Sequence, residues 1–380
     1  MKVYDTKIAI LLFSLIFLLT GCEEGKRPVT VFILDSASLL TFKQIRELKD
    51  REFTHGKIIE DLIKNESAPN NIKILEVDKV IQVRNEETYA MEEEVVIDSK
   101  KVVTALKRID HYVGKHPKEK IVVNMSFGGY SPLIFEILSE NPDISGPTEE
   151  EFAQKIFKKS RNDVPDFFFN RAVKQYIESI NEDRDISQKD IDIFHERNRL
   201  ISELHEKGVI FVAAAGNENT EDRSYPAAHP DVIAVAAIDK KNSKASYSNY
   251  GKYLDIAAQD DYTKDFDGSW MSVGGTSFAC ARVTALIVNI LRLTKEGKEV
   301  SPISLIKSYS IILSMDDYGR RGLLGAGAIN PEGTLESLDS GYTWTSGSTF
   351  FEGDNLVFIA ILIMIKKDMP RKMHLNCRKW

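Results

Sequence analysis

The chain has 380 residues, of which 43% are hydrophobic and 28% are charged, and its formal net charge is −7. This composition excludes a disordered chain, because it supplies enough apolar side chains for the core of one large domain or two modest ones. The basic residues form no long block, which argues against nucleic acid as a partner.

The first predicted element is a targeting segment that precedes the folded domain. Residues 8–19 form an apolar run of signal-peptide length, too short for a membrane-spanning helix. The Leu-Thr-Gly-Cys sequence that ends at Cys22 resembles the lipobox of bacterial lipoproteins, whose cysteine is lipidated and becomes the mature N-terminus. We therefore expect residues 1–21 to be a lipoprotein signal peptide, residues 22–28 a short linker and Cys22 an acylated anchor to a membrane of the bacterial cell envelope. An ordinary signal peptide that is cut nearby is the alternative.

Strands and helices alternate along the next part of the chain. Near-continuous apolar runs of four to eight residues are typical of buried parallel strands, whereas apolar residues three and four apart are typical of helices. This alternation predicts an α/β fold with a mostly parallel central sheet flanked by helices. The predicted strands are residues 29–34, 72–77, 121–125, 209–214 and 232–237, and the predicted helices are residues 55–64, 102–113, an apolar segment that begins near Ser277 and, with a weaker pattern, residues 41–50.

Two segments break this alternation. Helical periodicity in residues 166–180 and 189–206 predicts a helical insertion at about residues 131–205, beside the sheet of a domain that spans residues 29–337. The tail, residues 338–380, contains ten consecutive apolar residues followed by basic ones, half the length of a membrane-spanning helix. A peripheral anchor, a buried strand and an atypical tail all remain open for it.

The three cysteines do not form a disulfide framework. If Cys22 is acylated, only Cys280 and Cys377 remain, and Cys280 lies inside an apolar helical pattern. We expect Cys280 to be a buried packing residue.

Four polar residues stand at positions where acyl-transfer chemistry would need them. Asp35 ends an apolar strand, His55 precedes a glycine and opens a helix, Asn217 follows a Val-Ala-Ala-Ala-Gly strand, and Ser277 lies in a Gly-Thr-Ser-x-Ala run. Nucleophilic acyl transfer requires a hydroxyl, a base, a group that orients the base, and donors for the oxyanion. Each residue alone also suits a turn, a helix start or a helix cap, but four such matches in this order are improbable by chance.

Together these residues resemble the subtilisin-like serine peptidases, and the Asn-Met-Ser-Phe-Gly-Gly stretch is similar to the strand edge on which that family binds substrate. The resemblance implies that Ser277 is the nucleophile, His55 the general base, Asp35 the group that orients the imidazole, and Asn217 a side-chain donor to the oxyanion. It implies a serine endopeptidase that acts on proteins or peptides. The residues that would line the substrate cleft are Ser126, Phe127, Gly128, Ala214 and Gly216.

Some residues depart from the family pattern. Ala37 stands where glycine is usual, Lys57 where a small hydroxyl residue is common, and Ala281 where proline is usual, and only 20 residues separate Asp35 from His55. These departures keep an alternative open, in which the fold is catalytically inactive and binds a peptide or partner at the cell surface. A processing peptidase whose insertion restricts access to the cleft is a further alternative.

No cofactor is required by these motifs, and no metal ligand is assigned. An acidic stretch could hold calcium, which members of the family often bind, but its spacing matches no hand-like calcium loop. A solvated loop is the favoured interpretation of this stretch, which contains Asp260, Asp261, Asp265 and Asp267.

Overall fold

The computed structural model of the chain describes residues 28–36, 54–84, 91–128, 153–154, 158–164, 169, 188–266, 269–294, 298–311, 313 and 323–339. The predictions for Cys22, Ala37, the helix at residues 41–50, most of the insertion and nearly all of the C-terminal tail lie outside these residues.

Ten strands and six helices are present in the described residues. The strands are β1 (Val29–Asp35), β2 (Asn71–Glu76), β3 (Asp78–Arg84), β4 (Met91–Ile97), β5 (Lys120–Met125), β6 (Ile210–Ala214), β7 (Val232–Ile238), β8 (Ile256–Gln259), β9 (Tyr262–Phe266) and β10 (Ser269–Val273). The helices are α1 (His55–Glu66), α2 (Ser99–Lys115), α3 (Gln188–Glu206), α4 (Thr276–Leu293), α5 (Pro302–Tyr309) and α6 (Pro331–Asp339). A 3₁₀ turn spans Arg161–Asp163.

Six strands form one parallel sheet in the order β2-β1-β5-β6-β7-β8. The five strands predicted from apolar runs are β1, β2, β5, β6 and β7, and the predicted helices correspond to α1, α2 and α4. The α/β class with a parallel central sheet flanked by helices is therefore confirmed. Near-continuous apolar runs identified β1, β5, β6 and β7 because both faces of the sheet are covered there, whereas β2 at the edge of the sheet has no buried residue.

The two faces of the sheet carry separate helix layers. In β1, Val31 and Ile33 pack with α1 and α4, whereas Phe32 and Leu34 pack with α2 and α3. The alternation follows from the period of two in a strand, which sends successive side chains to opposite faces. Burial of each such aliphatic side chain stabilises the fold by about 1.5–3 kcal/mol.

Helix α3 lies within the segment predicted as an appendage but belongs to the main domain. Its Leu200, Ile201 and Leu204 are buried in the core cluster that also contains the α2 side chains. It connects β5 to β6, which are parallel neighbours and require a crossover. Among the described residues between β5 and β6 there is no strand.

Two antiparallel hairpins were not predicted from the sequence. Strands β3 and β4 pair with each other, as do β9 and β10, and both pairs stand apart from the six-stranded sheet. The acidic stretch predicted as a loop is partly strand, since Asp265 lies in β9 and pairs with Trp270. The charged residues of β4 and β9 conceal the alternation by which a half-buried strand is recognised.

Helix α4 is long and apolar enough to span a membrane by length and composition alone. Most of its side chains are buried in this domain, where they pack against the sheet and against α1. Its apolar character is therefore explained by its place in the core of the fold.

The topology brings polar residues together at the carboxyl ends of the strands, which form the edge of the sheet where the site lies. From β1 the chain first adds β2 on one side and later β5 on the other, so the strand order reverses between β1 and β5. In open parallel sheets, ligands bind outside the carboxyl ends of the strands at such a reversal. Asp35 ends β1 and Ser126 follows β5 at this edge.

Candidate active site

Asp35 and His55 are in direct contact. The Nδ1 atom of His55 lies 2.7 Å from Oδ1 of Asp35, which is 2% exposed. Thr54 caps α1 by accepting a hydrogen bond from the Lys57 amide, which fixes the first turn of the helix. At Gly56 a Cβ atom would lie 3.3 Å from Asp35 Cβ and 3.3 Å from Ser36 O. The glycine after His55 thus allows α1 to approach the end of β1 closely.

The hydrogen bonds of Asp35 determine the tautomer of His55. Oδ1 of Asp35 also accepts from the backbone amide of Ser36, at 2.6 Å. An ionised carboxylate only accepts hydrogen bonds, so Nδ1 of His55 carries the proton and donates it to Asp35. In the neutral imidazole, Nε2 is then the unprotonated nitrogen, as a general base requires.

Burial and charge act in opposite directions on His55. Burial of the imidazole by itself lowers the pKa of His55, but the negative charge of Asp35 and the hydrogen bond to it more than offset this effect. The pKa of His55 therefore lies above its ordinary value. The carboxylate stabilises the imidazolium form, which arises when the ring accepts a proton.

Ser277 lies in the first turn of α4. Gly275 precedes the helix with a φ of 155°, a conformation that favours glycine. The Ser277 hydroxyl donates to the carbonyl oxygen of Ser126 at 3.1 Å. In return, the Ser126 hydroxyl lies 3.2 Å from the Ser277 carbonyl oxygen and 2.8 Å from Asn124 Oδ1. These bonds attach the start of α4 to the end of β5.

Asn124 extends this connection into the core. It is fully buried, and its Nδ2 donates to Thr284 Oγ1 at 3.0 Å and to Cys280 Sγ at 3.2 Å. Cys280 is also fully buried, and burial raises the pKa of its thiol to about 12. The prediction that Cys280 is a buried packing residue is confirmed.

His55 and Ser277 lie at the same edge but are not hydrogen-bonded. The ring of His55 meets the ring of Phe278 edge to face, with 6.1 Å between ring centroids, so α1 and α4 begin side by side. Within the described residues, the Ser277 hydroxyl has Ser126 as its acceptor. Catalytic hydrogen bonds often form only when substrate is present, so the resting geometry is compatible with a nucleophile–base pair.

Asn217 is held by the first residue of α4. Its Oδ1 accepts from both the backbone amide and the hydroxyl of Thr276, each at 3.0 Å. The backbone amide can only donate, so the atom that faces it must be the side-chain oxygen. The Asn217 Nδ2 atom therefore points away, and within the described part of the chain it has no acceptor. The Ser277 backbone N–H is likewise without one in that part of the chain, because the first amides of a helix lack intrahelical partners.

The predicted substrate edge lies beside these groups. Strands β5 and β6 are neighbours, so the residues after β5 run alongside the end of β6. Phe127 packs against the core, whereas Gly128 is exposed. A Cβ atom at Gly128 would lie 2.2 Å from Ser224 Oγ and 3.8 Å from the Ala214 carbonyl oxygen. The glycine keeps open the space between these strand ends.

Two further residues at this edge were not singled out from the sequence. Ser224, which faces Gly128, and Asn249, which contacts Gly216, are both buried. Neither belongs to a motif of the sequence analysis, because a buried serine or asparagine gives no sequence signal of its own.

No metal site is present in the described residues, where no three His, Cys, Asp or Glu side chains come together to hold an ion. Asp260 is buried, and burial raises the pKa of its carboxyl group, with the nearby carboxylates of Asp261 and Asp239 acting in the same direction. Asp267 lies outside the described residues, so the calcium hypothesis stays open.

Sequence comparison identifies the family. The model of the Subtilase family matches residues 79–308. The chain belongs to the subtilase family. The matched segment includes Ser126, Asn217 and Ser277, whereas Asp35 and His55 precede it. The assignment of Asp35 and His55 to the candidate site of this subtilase therefore depends on the geometry described above.

Individual relatives align over a smaller part of the subtilase. Alkaline protease 1 of Aspergillus flavus is 34% identical over 127 residues, which cover 29% of this chain and 31% of that protein. Subtilisin BL of Lederbergia lenta is 31% identical over 136 residues, which cover 35% of this chain and 49% of that protein. The matches thus span less than half of these relatives. The structure of the prenylagaramide maturation protease PagA has the same fold, with a TM-score of 0.50, 16% identity, and coverage of 84% of this chain and 96% of that one.

Proposed function

We propose that this subtilase is a membrane-anchored serine endopeptidase that hydrolyses peptide bonds in proteins or peptides. The observation that carries the proposal is the 2.7 Å contact between His55 Nδ1 and Asp35 Oδ1 at the edge where α4 presents Ser277. Family membership supports the same activity. The names of the aligned relatives, an alkaline protease and a subtilisin, are consistent with it.

The proposed mechanism begins with rotation of the Ser277 hydroxyl from the Ser126 carbonyl oxygen towards His55. Ser277 Oγ attacks the scissile carbonyl carbon as its proton moves to His55 Nε2, and Asp35 stabilises the imidazolium. The oxyanion accepts hydrogen bonds from Asn217 Nδ2 and from the Ser277 backbone N–H, at the positive end of the α4 dipole. His55 then protonates the leaving amine, and water releases the acyl group by the same steps.

A fluorophosphonate probe tests this proposal, because it reacts covalently only with an activated serine. Wild type should be labelled, Ser277→Ala should not, and His55→Ala should be labelled far more slowly. Ser202→Ala is the matched control, since Ser202 lies on α3 and donates to Asp231. Label that persists in Ser277→Ala would contradict the assignment.

The catalytically inactive alternative is favoured by one observation, the hydrogen bond from Ser277 to Ser126 instead of to His55. The departures Lys57 and Ala281 point in the same direction. A wild-type protein that melts cooperatively, does not react with the probe and still binds peptides would establish this alternative.

We also propose that acylation of Cys22 anchors the enzyme. Val29, the first residue of β1, follows Cys22 by only seven residues, so the tether would span at most about 25 Å. The domain would therefore work at the membrane surface. Metabolic labelling with a fatty-acid analogue should mark wild type and Cys377→Ser but not Cys22→Ser. Equal label in Cys22→Ser and wild type would contradict the proposal.

A further inference from the structure

The loop that follows β6 encloses a single asparagine side chain. Asn249 is 0% exposed, and its amide forms four hydrogen bonds to this loop. Nδ2 donates to the Ala215 carbonyl oxygen at 3.0 Å and to Glu218 Oε2 at 2.7 Å. Oδ1 accepts from the backbone amides of Glu218 at 2.9 Å and Thr220 at 3.3 Å. The bonded groups lie on both sides of Asn217, the proposed oxyanion donor.

This loop has a conformation that the backbone does not favour by itself. Gly216 has a φ of 104° and Asn219 a φ of 54°, so the two residues in left-handed conformations lie on either side of Asn217. A Cβ atom at Gly216 would lie 2.4 Å from Asn249 Nδ2, so the glycine makes room for the amide. The loop therefore depends on contacts from outside its own sequence.

We propose that Asn249 is a positioning residue that holds Asn217 in the orientation required of an oxyanion donor. The inference rests on the proposed peptidase function. Asn249 fixes the backbone before and after Asn217, while Thr276 fixes the Asn217 side-chain oxygen from the start of α4. Both constraints are needed, because an oxyanion donor contributes to catalysis only when it is oriented in advance.

A double-mutant cycle separates this role from a general effect on the fold. Asn249→Ala should lower kcat roughly 10–100-fold with KM within a few-fold of wild type, because small displacements of catalytic groups are costly. In the Asn217→Ala background the same substitution should change kcat less than about threefold, since the group that it positions is gone. Asn70→Ala is the matched control. It removes an asparagine that accepts a hydrogen bond from the Val29 amide at the amino ends of the strands, opposite the site, and kcat should not change. An equal loss in both backgrounds would overturn the proposal.

A charge substitution provides an independent readout. Asn249→Asp keeps the acceptor for the Glu218 and Thr220 amides but replaces the donor with a carboxylate that faces the Glu218 carboxylate. The two negative charges should repel, and kcat should fall as in Asn249→Ala. Adding Glu218→Gln supplies an amide donor opposite the new carboxylate and should restore part of the lost kcat, because the hydrogen bond to the Ala215 carbonyl oxygen stays absent. No recovery in the double variant would argue against positioning by this hydrogen bond.

Hydrogen exchange distinguishes failure of this inference from failure of the proposed function. Amide exchange over residues 215–220 should be faster in Asn249→Ala than in wild type and unchanged in Asn70→Ala. If wild type does not react with a fluorophosphonate, the peptidase proposal and the catalytic role of Asn249 both fail, and exchange alone reports whether Asn249 holds the loop. If wild type reacts but exchange in Asn249→Ala is unchanged, only the positioning role is refuted.

Discussion

Asn217 contributes to both catalysis and folding, and two substitutions separate these contributions. Its Oδ1 accepts two 3.0 Å hydrogen bonds from Thr276, which is 1% exposed. Its Nδ2 is the proposed donor to the oxyanion. Asn217→Ala removes both functions, whereas Asn217→Asp keeps the acceptor and removes only the donor.

The expected magnitudes follow from these contacts. Each lost hydrogen bond costs about 0.5–1.5 kcal/mol, so Asn217→Ala should lower the free energy of unfolding by about 1–3 kcal/mol. Asn217→Asp should retain wild-type stability, because its carboxylate still accepts from Thr276 and lies near the positive end of the α4 dipole. Loss of one oxyanion donor is known to lower kcat by about 10²–10³ in subtilisin, and we expect at least this loss in both variants. The charge of the aspartate should add to it by repelling the oxyanion.

Steady-state kinetics on a peptide substrate, together with thermal melting, would test this prediction. The expected result is a fall in kcat with little change in KM for both variants, and a lower melting temperature for Asn217→Ala alone. A normally folded Asn217→Asp protein with wild-type kcat would refute the assignment of Asn217 and weaken that of the whole site.

Three further predictions concern the same edge of the sheet and its supporting core. The acid limb of the kcat/KM profile should lie above about pH 6.5, because the raised pKa of His55 keeps the base protonated at lower pH. Asp35→Asn should move this limb to lower pH. A wild-type limb at or below pH 6.5 would contradict the raised pKa of His55. Gly128→Ala should lower kcat/KM roughly 10-fold or more on substrates with large side chains, because its methyl group would overlap Ser224 Oγ, and Ser224→Gly should restore part of the loss. Iodoacetamide should modify Cys280 only after unfolding, because burial raises the pKa of its thiol to about 12. Peptide-resolved mass spectrometry would measure this modification. Rapid modification of Cys280 in the native protein would contradict its burial in the core.

Five of the six parallel strands of the main sheet could be predicted because their residues form apolar runs, whereas the short β8 was missed. Strand β7 is buried along its whole length, so nearly every residue is apolar and the run stands out in the sequence. Hairpin β3–β4 could not be predicted in the same way, because the run Glu92–Glu94 hides the alternation of β4. Helix α3 was predicted as a helix but assigned to an appendage, since its periodicity does not reveal which layer it packs against.

The candidate site shows a similar division. Asp35, His55, Asn217 and Ser277 could be proposed because each is adjacent to a recognisable strand end or helix start. Asn249 could not, because its importance comes from contacts with residues more than 28 positions earlier in the chain. Only the tertiary structure brings such groups together.

Helices α1 and α4 share more than their starting points. His55 meets Phe278 at one end of the pair, and at the other the Glu66 carbonyl oxygen accepts from Asn289 Nδ2, with Glu66 also bonded to Arg282. Eleven residues separate the two contacts on each helix, about 16 Å of helix, so the helices run parallel and in register. The proposed base and nucleophile thus lie at the start of two parallel helices that contact each other near both ends. Removing the contacts of Glu66 with Asn289 and Arg282, at the opposite end of the helix pair, should alter the alignment of His55 with Ser277.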